Sequence, residues 1–225
     1  MKQPLEEIDE NFFAQFKAVY QFKKNQLILG PTAEPSGIFY LKSGFVRLYL
    51  VSEGGKELTL NIFKPGAYFS MIWALNDTPN IYFYESLTDV ILLKAPKEEV
   101  LKHIKDNPAM LLDLTKRTLK GLDGMTRLME ALLTGNAYQQ IASVLLVLAR
   151  RFGKNGKNSE LIIDLPLTHR IIGTIAGLSR ESTSLELEKL TKANLISQKD
   201  HLIVVKDLKK LEEKSPINFI EEIQF

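Results

Sequence analysis

Gly173 and Gly177 stand four residues apart in the run LTHRIIGTIAGLSRESTSLELEKLTKANLIS, and this pair constrains the fold more than any other feature of the chain. Two short helices can cross closely only where a small side chain sits at the crossing, and Gly173 provides one. The tight turn between them needs a residue that tolerates positive φ, and Gly177 provides that. Ile172, Ile175, Leu178, Leu187 and Leu190 supply apolar contacts for the pair. Thr168 is placed to cap the first helix and Ser179 the second.

The flanking residues extend the pattern. Asn136 and Gln139 have capping-box spacing, and a helix with Ile141, Val144, Leu145 and Leu148 buried follows them. Arg150 and Arg151 sit in its last turn and Gly153 ends it. KNGKNSE reads as a flexible loop and LIIDLPL as a strand. LISQKDHLIVV reads as two strands around a Lys199-Asp200 turn. Helix, short helix, turn, helix and hairpin is the order of a winged helix-turn-helix.

The N-terminal part has strand character. Ile38–Leu41 precedes a KSG turn. Phe45–Val51 alternates with Phe45, Arg47, Tyr49 and Val51 on one face, and Glu57–Phe63 with Leu58, Leu60 and Ile62 on one face. SEGGK and KPG break these runs, and YFYESLTDVILLKAP supplies more strand. Short, regularly spaced strands predict an all-β barrel or a sandwich. A short helix near Phe13 leads into it. A long helix then starts at Asp106 or Asn107 with Pro108 in its first turn and ends near Gly135. Positions 111, 115, 118, 122, 125, 129 and 132 step by four and three, as a heptad seam does. That seam fits one long core helix or a pairing with a second copy, for which Gly121 and Gly124 leave room.

The chain has 225 residues and no cysteine, which excludes disulfides, thiolate metal sites and a cysteine nucleophile. His103, His169 and His201 lie far apart, so no metal site is expected. The net charge is +2; residues 1–136 carry 16 basic and 16 acidic side chains, leaving 13 against 11 thereafter. Charge by itself therefore does not point to a nucleic acid. No apolar run is long enough for a membrane span, and the start MKQPLEEIDE lacks the apolar core of an export signal. A cytoplasmic protein is expected.

The run from Thr168 resembles the DNA-binding motif of the Crp/Fnr family of bacterial transcription regulators. Thr168, Ile172, Gly173, Ile175, Gly177, Ser179, Arg180, Glu181 and Ser182 carry the resemblance, and the barrel turns and long helix extend it over nearly the whole chain. The resemblance implies an α+β protein: a cyclic-nucleotide-binding-like β-barrel (jelly roll) over residues 1–106, a dimerisation helix over 107–136 and a winged helix-turn-helix over 137–225. It implies a homodimer on a palindromic double-stranded DNA operator, with RNA polymerase as a further partner and no membrane. The recognition helix, 179–191, would lie in the major groove. Arg180 would pair with a guanine and Glu181 would accept from a cytosine amino group. Ser184 would add a contact, Ser179 would cap, and Thr168, His169 and Arg170 would reach phosphates. Many relatives carry an arginine where this chain has Leu185. Leu111, Thr118, Leu122, Met125, Met129 and Leu132 would form the dimer interface.

In this family the barrel often holds cyclic AMP, through a Gly-Glu pair after the PG turn and an Arg-Ser pair some ten residues on. Here Ser70-Met71 stands at the first position, and no arginine occurs between Arg47 and Arg117. A buried phosphate without a cation is costly, so cyclic AMP is rejected as the ligand. The missing cysteines exclude iron–sulfur sensing, and His103 alone is a poor basis for haem. Ser70, Met71, Trp73, Tyr82 and Tyr84 read as core, or as the wall of a pocket for a small uncharged or aromatic effector held near Met125 and Arg127; a third reading has no effector. Three rivals remain: a cyclic-nucleotide- or haem-responsive member of the same family, a winged-helix module that binds protein, and a cupin-like enzyme. The last has no histidine cluster for its metal, so an enzyme is not expected.

Overall fold

Ile38, Phe39, Tyr40 and Leu41 are consecutive and all buried. A strand turns alternate side chains to opposite faces, so this strand has a core on each side. The structure, a computed structural model, describes residues 5–156, 160–199 and 202–216. It divides into two compact units, Met1–Leu114 and Thr115–Phe225.

The first unit begins with α1 (Leu5–Ala14) and continues through β1 (Val19–Phe22), β2 (Leu27–Leu29), β3 (Ile38–Ser43), β4 (Val46–Val51), β5 (Glu57–Phe63) and β6 (Tyr68–Phe69). α2 (Met71–Asn76), β7 (Phe83–Ser86), β8 (Val90–Ala95) and α3 (Lys97–Asp106) follow, and α4 (Pro108–Thr134) begins. Two antiparallel four-stranded sheets form, in the orders β1-β8-β3-β6 and β2-β7-β4-β5. Phe39, Leu41, Phe69 and Leu92 of the first sheet meet Val46 and Tyr84 of the second in one core. Ile38, Tyr40, Tyr68 and Leu93 face the other way, onto Phe13 of α1, Val100 and Ile104 of α3 and Met110 of α4.

Of the two expected forms, barrel and sandwich, the structure has the sandwich: two sheets that do not close into a barrel. Among the described residues no ladder joins the sheets. Stacked rings fill the space between them: Phe39 and Phe69 lie 5.1 Å apart, Phe69 and Tyr84 5.2 Å. The expected row Leu58, Leu60, Ile62 also fails. The β4–β5 register slips between Leu48 and Tyr49, so Ile62 pairs with Arg47 and Thr59 with Tyr49. An extra residue in β5 opposite that point moves its apolar positions to different faces.

In the second unit α5 (Ala137–Phe152) has the Asn136–Gln139 capping box, and Ile141, Val144, Leu145 and Leu148 are buried as the spacing predicts. β9 (Gly153–Asn155), β10 (Leu161–Ile163), α6 (His169–Ala176), α7 (Arg180–Lys192), β11 (Ile196–Lys199), β12 (Leu202–Val205) and α8 (Leu208–Glu212) follow. The sheet order is β11-β12-β10-β9. Residues 153–155, mostly expected in a loop, pair with β10 instead. β10 ends at Ile163, while Leu165 and Leu167 are buried without continuing the strand. The Lys199-Asp200 turn and His201 fall at or outside the limits of the described residues. α8 was not expected from the sequence; Asp207 caps it and Glu212 pairs with Arg150 at 2.7 Å.

Candidate nucleic-acid interface

Local chemistry sets both helices of the motif. The Thr168 hydroxyl accepts from the Ile171 N–H at 3.2 Å and starts α6. Gly177 ends α6 at φ 70°, in the left-handed region. A methyl group at Gly173 would come within 2.8 Å of Thr183 Oγ1 and 2.9 Å of the Leu178 carbonyl. The crossing therefore has no room for a side chain. The Ser179 hydroxyl accepts from the Ser182 N–H at 3.1 Å and starts α7.

α7 has one buried face, made by Thr183, Glu186, Leu187 and Leu190. Arg180, Glu181, Leu185 and Glu188 are exposed. Glu181 keeps its carboxyl below the usual carboxylate range, chiefly by accepting from its own backbone N–H at the helix start. It is therefore an ionised acceptor.

Ser184 and His169 are linked. The Ser184 hydroxyl donates to the Arg180 carbonyl at 2.9 Å. His169 Nδ1 lies 2.7 Å from Ser184 Oγ, and His169 Nε2 lies 3.0 Å from Gln198 Nε2 of β11. One imidazole thus connects α6, α7 and the wing. Thr168 and Arg170 are exposed beside it, and these residues with Arg180 and Gln198 line one shallow concavity. Nothing local in the sequence marks Gln198, a strand residue that returns to a helix 29 positions earlier.

In the first unit the proposed pocket residues separate. Met71 and Trp73 pack on the helix side of the first sheet, whereas Tyr82 and Tyr84 pack between the sheets. Ser70 precedes α2 at φ 71°; its buried hydroxyl has no hydrogen-bond partner among the described residues. Burial pushes the Tyr84 phenol up to about 12. Met125 and Arg127 lie on α4, where Met125 is exposed and Arg127 pairs with Asp123 at 3.0 Å. Arg47, the one arginine in residues 1–114, is fully buried. It pairs with Glu57 at 2.7 Å, has Glu85 at 3.8 Å, and lies 3.9 Å from the centre of the Tyr49 ring. Its neighbours Val46 and Leu48 point into the sandwich, so Arg47 points away from it.

Along α4, Leu111, Thr118, Leu122 and Met129 are exposed with Met125, and Leu132 is half-buried. Methyl groups at Gly121 and Gly124 would meet nothing within 4 Å. Among the described residues no group of acidic and histidine side chains is arranged to hold a metal, and no helix is long and apolar enough to cross a membrane.

Residues 19–107 match the cyclic nucleotide-binding domain family, and residues 139–214 match the Crp-like helix-turn-helix domain. A global nitrogen regulator of Nostoc is 29% identical over 80% of this chain and 81% of its own length. The transcriptional regulator SdrP of Thermus thermophilus is 29% identical over 88% of this chain and 95% of its own. A solved Crp/Fnr-family regulator of Thermus thermophilus superposes with a TM-score of 0.69 at 28% identity, covering 89% of this chain and 99% of that one. These relatives are regulators rather than enzymes. With a sensor sandwich in its first unit and a winged helix-turn-helix in its second, the chain belongs to the Crp/Fnr family of DNA-binding transcription regulators.

Proposed function

We propose that the chain acts in the cytoplasm as a homodimer on a palindromic operator, with α7 of each protomer in a major groove. Arg180 donates to a guanine and Glu181 accepts from a cytosine amino group. Thr168, His169 and Arg170 lie against backbone phosphates, and RNA polymerase is the further partner on the strength of the family alone. One observation carries the reading: Arg180 and Glu181 are exposed at the start of α7, away from the face that packs on its own domain. The ionised state of Glu181 suits an acceptor role. The apolar row of Leu111, Leu122, Met125 and Met129 beside open glycines supports the dimer. Selection of bound sequences from random duplexes tests this, followed by Arg180→Ala. The variant should lose about 1–3 kcal/mol of discrimination at one base pair. Unchanged preference between selected and scrambled DNA would exclude base reading by Arg180.

For the sensor, the same proposal has no cyclic AMP. Arg47 is ion-paired with Glu57, has Glu85 at 3.8 Å, and faces away from the sandwich interior. A phosphate there would lack a cation. The buried Ser70 hydroxyl, without a hydrogen-bond partner among the described residues, suits a small uncharged or aromatic effector instead. Calorimetric titration of cyclic AMP and of neutral aromatic metabolites into the full chain separates the two. Saturable binding of cyclic AMP would overturn the reading.

A further inference from the structure

Leu185 is 58% exposed in α7, whereas Leu187 is 1% and Leu190 0% exposed in the same helix. It therefore takes no part in the packing that attaches α7 to its domain. It stands one turn, about 6 Å, beyond Glu181 and on the same outward face. Ser184 beside it has its hydroxyl engaged: it donates to the Arg180 carbonyl and lies 2.7 Å from His169. Over the first turn and a half of α7 the outward side chains are then two hydrogen-bonding groups, Arg180 and Glu181, and one purely apolar group, Leu185.

A leucine can gain nothing from the donors and acceptors of base edges. The one apolar group that base pairs present in the major groove is the C5-methyl of thymine. We propose that Leu185 packs on the C5-methyl of a thymine in each operator half-site, so that this regulator reads a methyl group at that position. The inference rests on the proposed seating of α7 in the major groove. It adds a specificity-determining contact to that reading and predicts a T·A pair next to the pairs read by Arg180 and Glu181. The contact places apolar surface of both partners out of water, and a single buried methyl is worth about a fourfold change in affinity.

The test uses the full-length protein and the duplex selected from a random pool. Each thymine of one half-site is replaced in turn by deoxyuridine, which deletes only the methyl, and affinity is read by fluorescence anisotropy. One replacement should weaken the wild type about fourfold and leave Leu185→Ala unaffected. Leu185 is exposed, so the alanine variant retains the fold. If no replacement affects the wild type, or if Leu185→Ala responds as the wild type does, the methyl contact is wrong while an enriched palindrome still stands for operator reading. A selection that enriches no sequence overturns the operator reading and the methyl contact together.

Discussion

His169 and Ser184, fifteen residues apart in the chain, meet with Nδ1 and Oγ 2.7 Å apart, on the side of the domain that carries Arg180. Gln198 completes the link at 3.0 Å. The recognition helix and the wing are thereby held through one ring. His169 is a positioning residue here as well as a neighbour of the proposed phosphate track.

His169→Ala breaks both hydrogen bonds while sparing the buried core. Each such bond is worth about 0.5–1.5 kcal/mol of folding stability, so the second unit should lose roughly 1–3 kcal/mol and DNA affinity should fall. Hydrogen exchange should quicken in residues 196–199 and 202–205, and the melting temperature should drop. An unchanged exchange pattern would show that the ring does not hold the wing.

Gly173→Ala should destabilise the second unit. Alanine improves helix propensity by about 1 kcal/mol. The added methyl meets the Leu178 carbonyl at 2.9 Å, and that backbone atom cannot swing aside. Overpacking of this kind costs about 1–3 kcal/mol, so the net effect is destabilisation and loss of operator binding. Urea unfolding of the variant against the wild type checks the sign.

Leu122→Glu should dissociate the proposed dimer without unfolding the protomer. Leu122 is 53% exposed in the single chain, so its removal costs no core packing. Across a two-fold seam the change removes two buried leucines and introduces two like charges. The loss should be about 3 kcal/mol or more, from about 1.5–3 kcal/mol for each leucine. Sedimentation velocity should show dimer for the wild type and monomer for the variant at the same concentration.

Tyr84 makes stability fall at high pH. Burial raises its folded pKa from the ordinary tyrosine value of 10.0 to about 12, so between these values the unfolded chain ionises first. The unfolded state then binds fewer protons than the folded state, and stability drops as pH rises. The contribution is fully present below pH 10 and declines through the window up to about 12. That difference corresponds to roughly 2–3 kcal/mol. Urea unfolding at pH 9 to 12 should show this slope, and Tyr84→Phe should flatten it. A phenolate absorbance that titrates at the ordinary tyrosine pKa would remove the basis for the prediction.

The residues that read well from sequence are those whose partners lie close in the chain. Thr168, Ser179 and Asn136 cap as their spacing indicates, because each bonds an N–H three positions on. Gly177 takes its positive φ because the turn around it demands one. Gly173 was legible through the helix crossing that the motif imposes. The heptad along α4 was equally legible as an apolar row, and its exposure is what the structure adds.

Other features depend on groups far apart in sequence, and no local pattern encodes them. The slip between Leu48 and Tyr49 arises from how β4 and β5 pair, and it redirects Ile62. The aromatic run from Tyr68 to Tyr84 looks like one cluster in sequence, yet the first sheet divides it into two cores. β9 exists because β10 offers it an open edge. The sequence by itself determined the caps, the turn glycine, the order of elements and the family. Tertiary structure decided which face each strand residue occupies, that Arg47 is paired off, and that Ser184 is held by His169. The reason is physical: caps and turns are settled within a few residues of backbone, whereas burial and hydrogen-bond partners are settled by what the rest of the chain brings alongside.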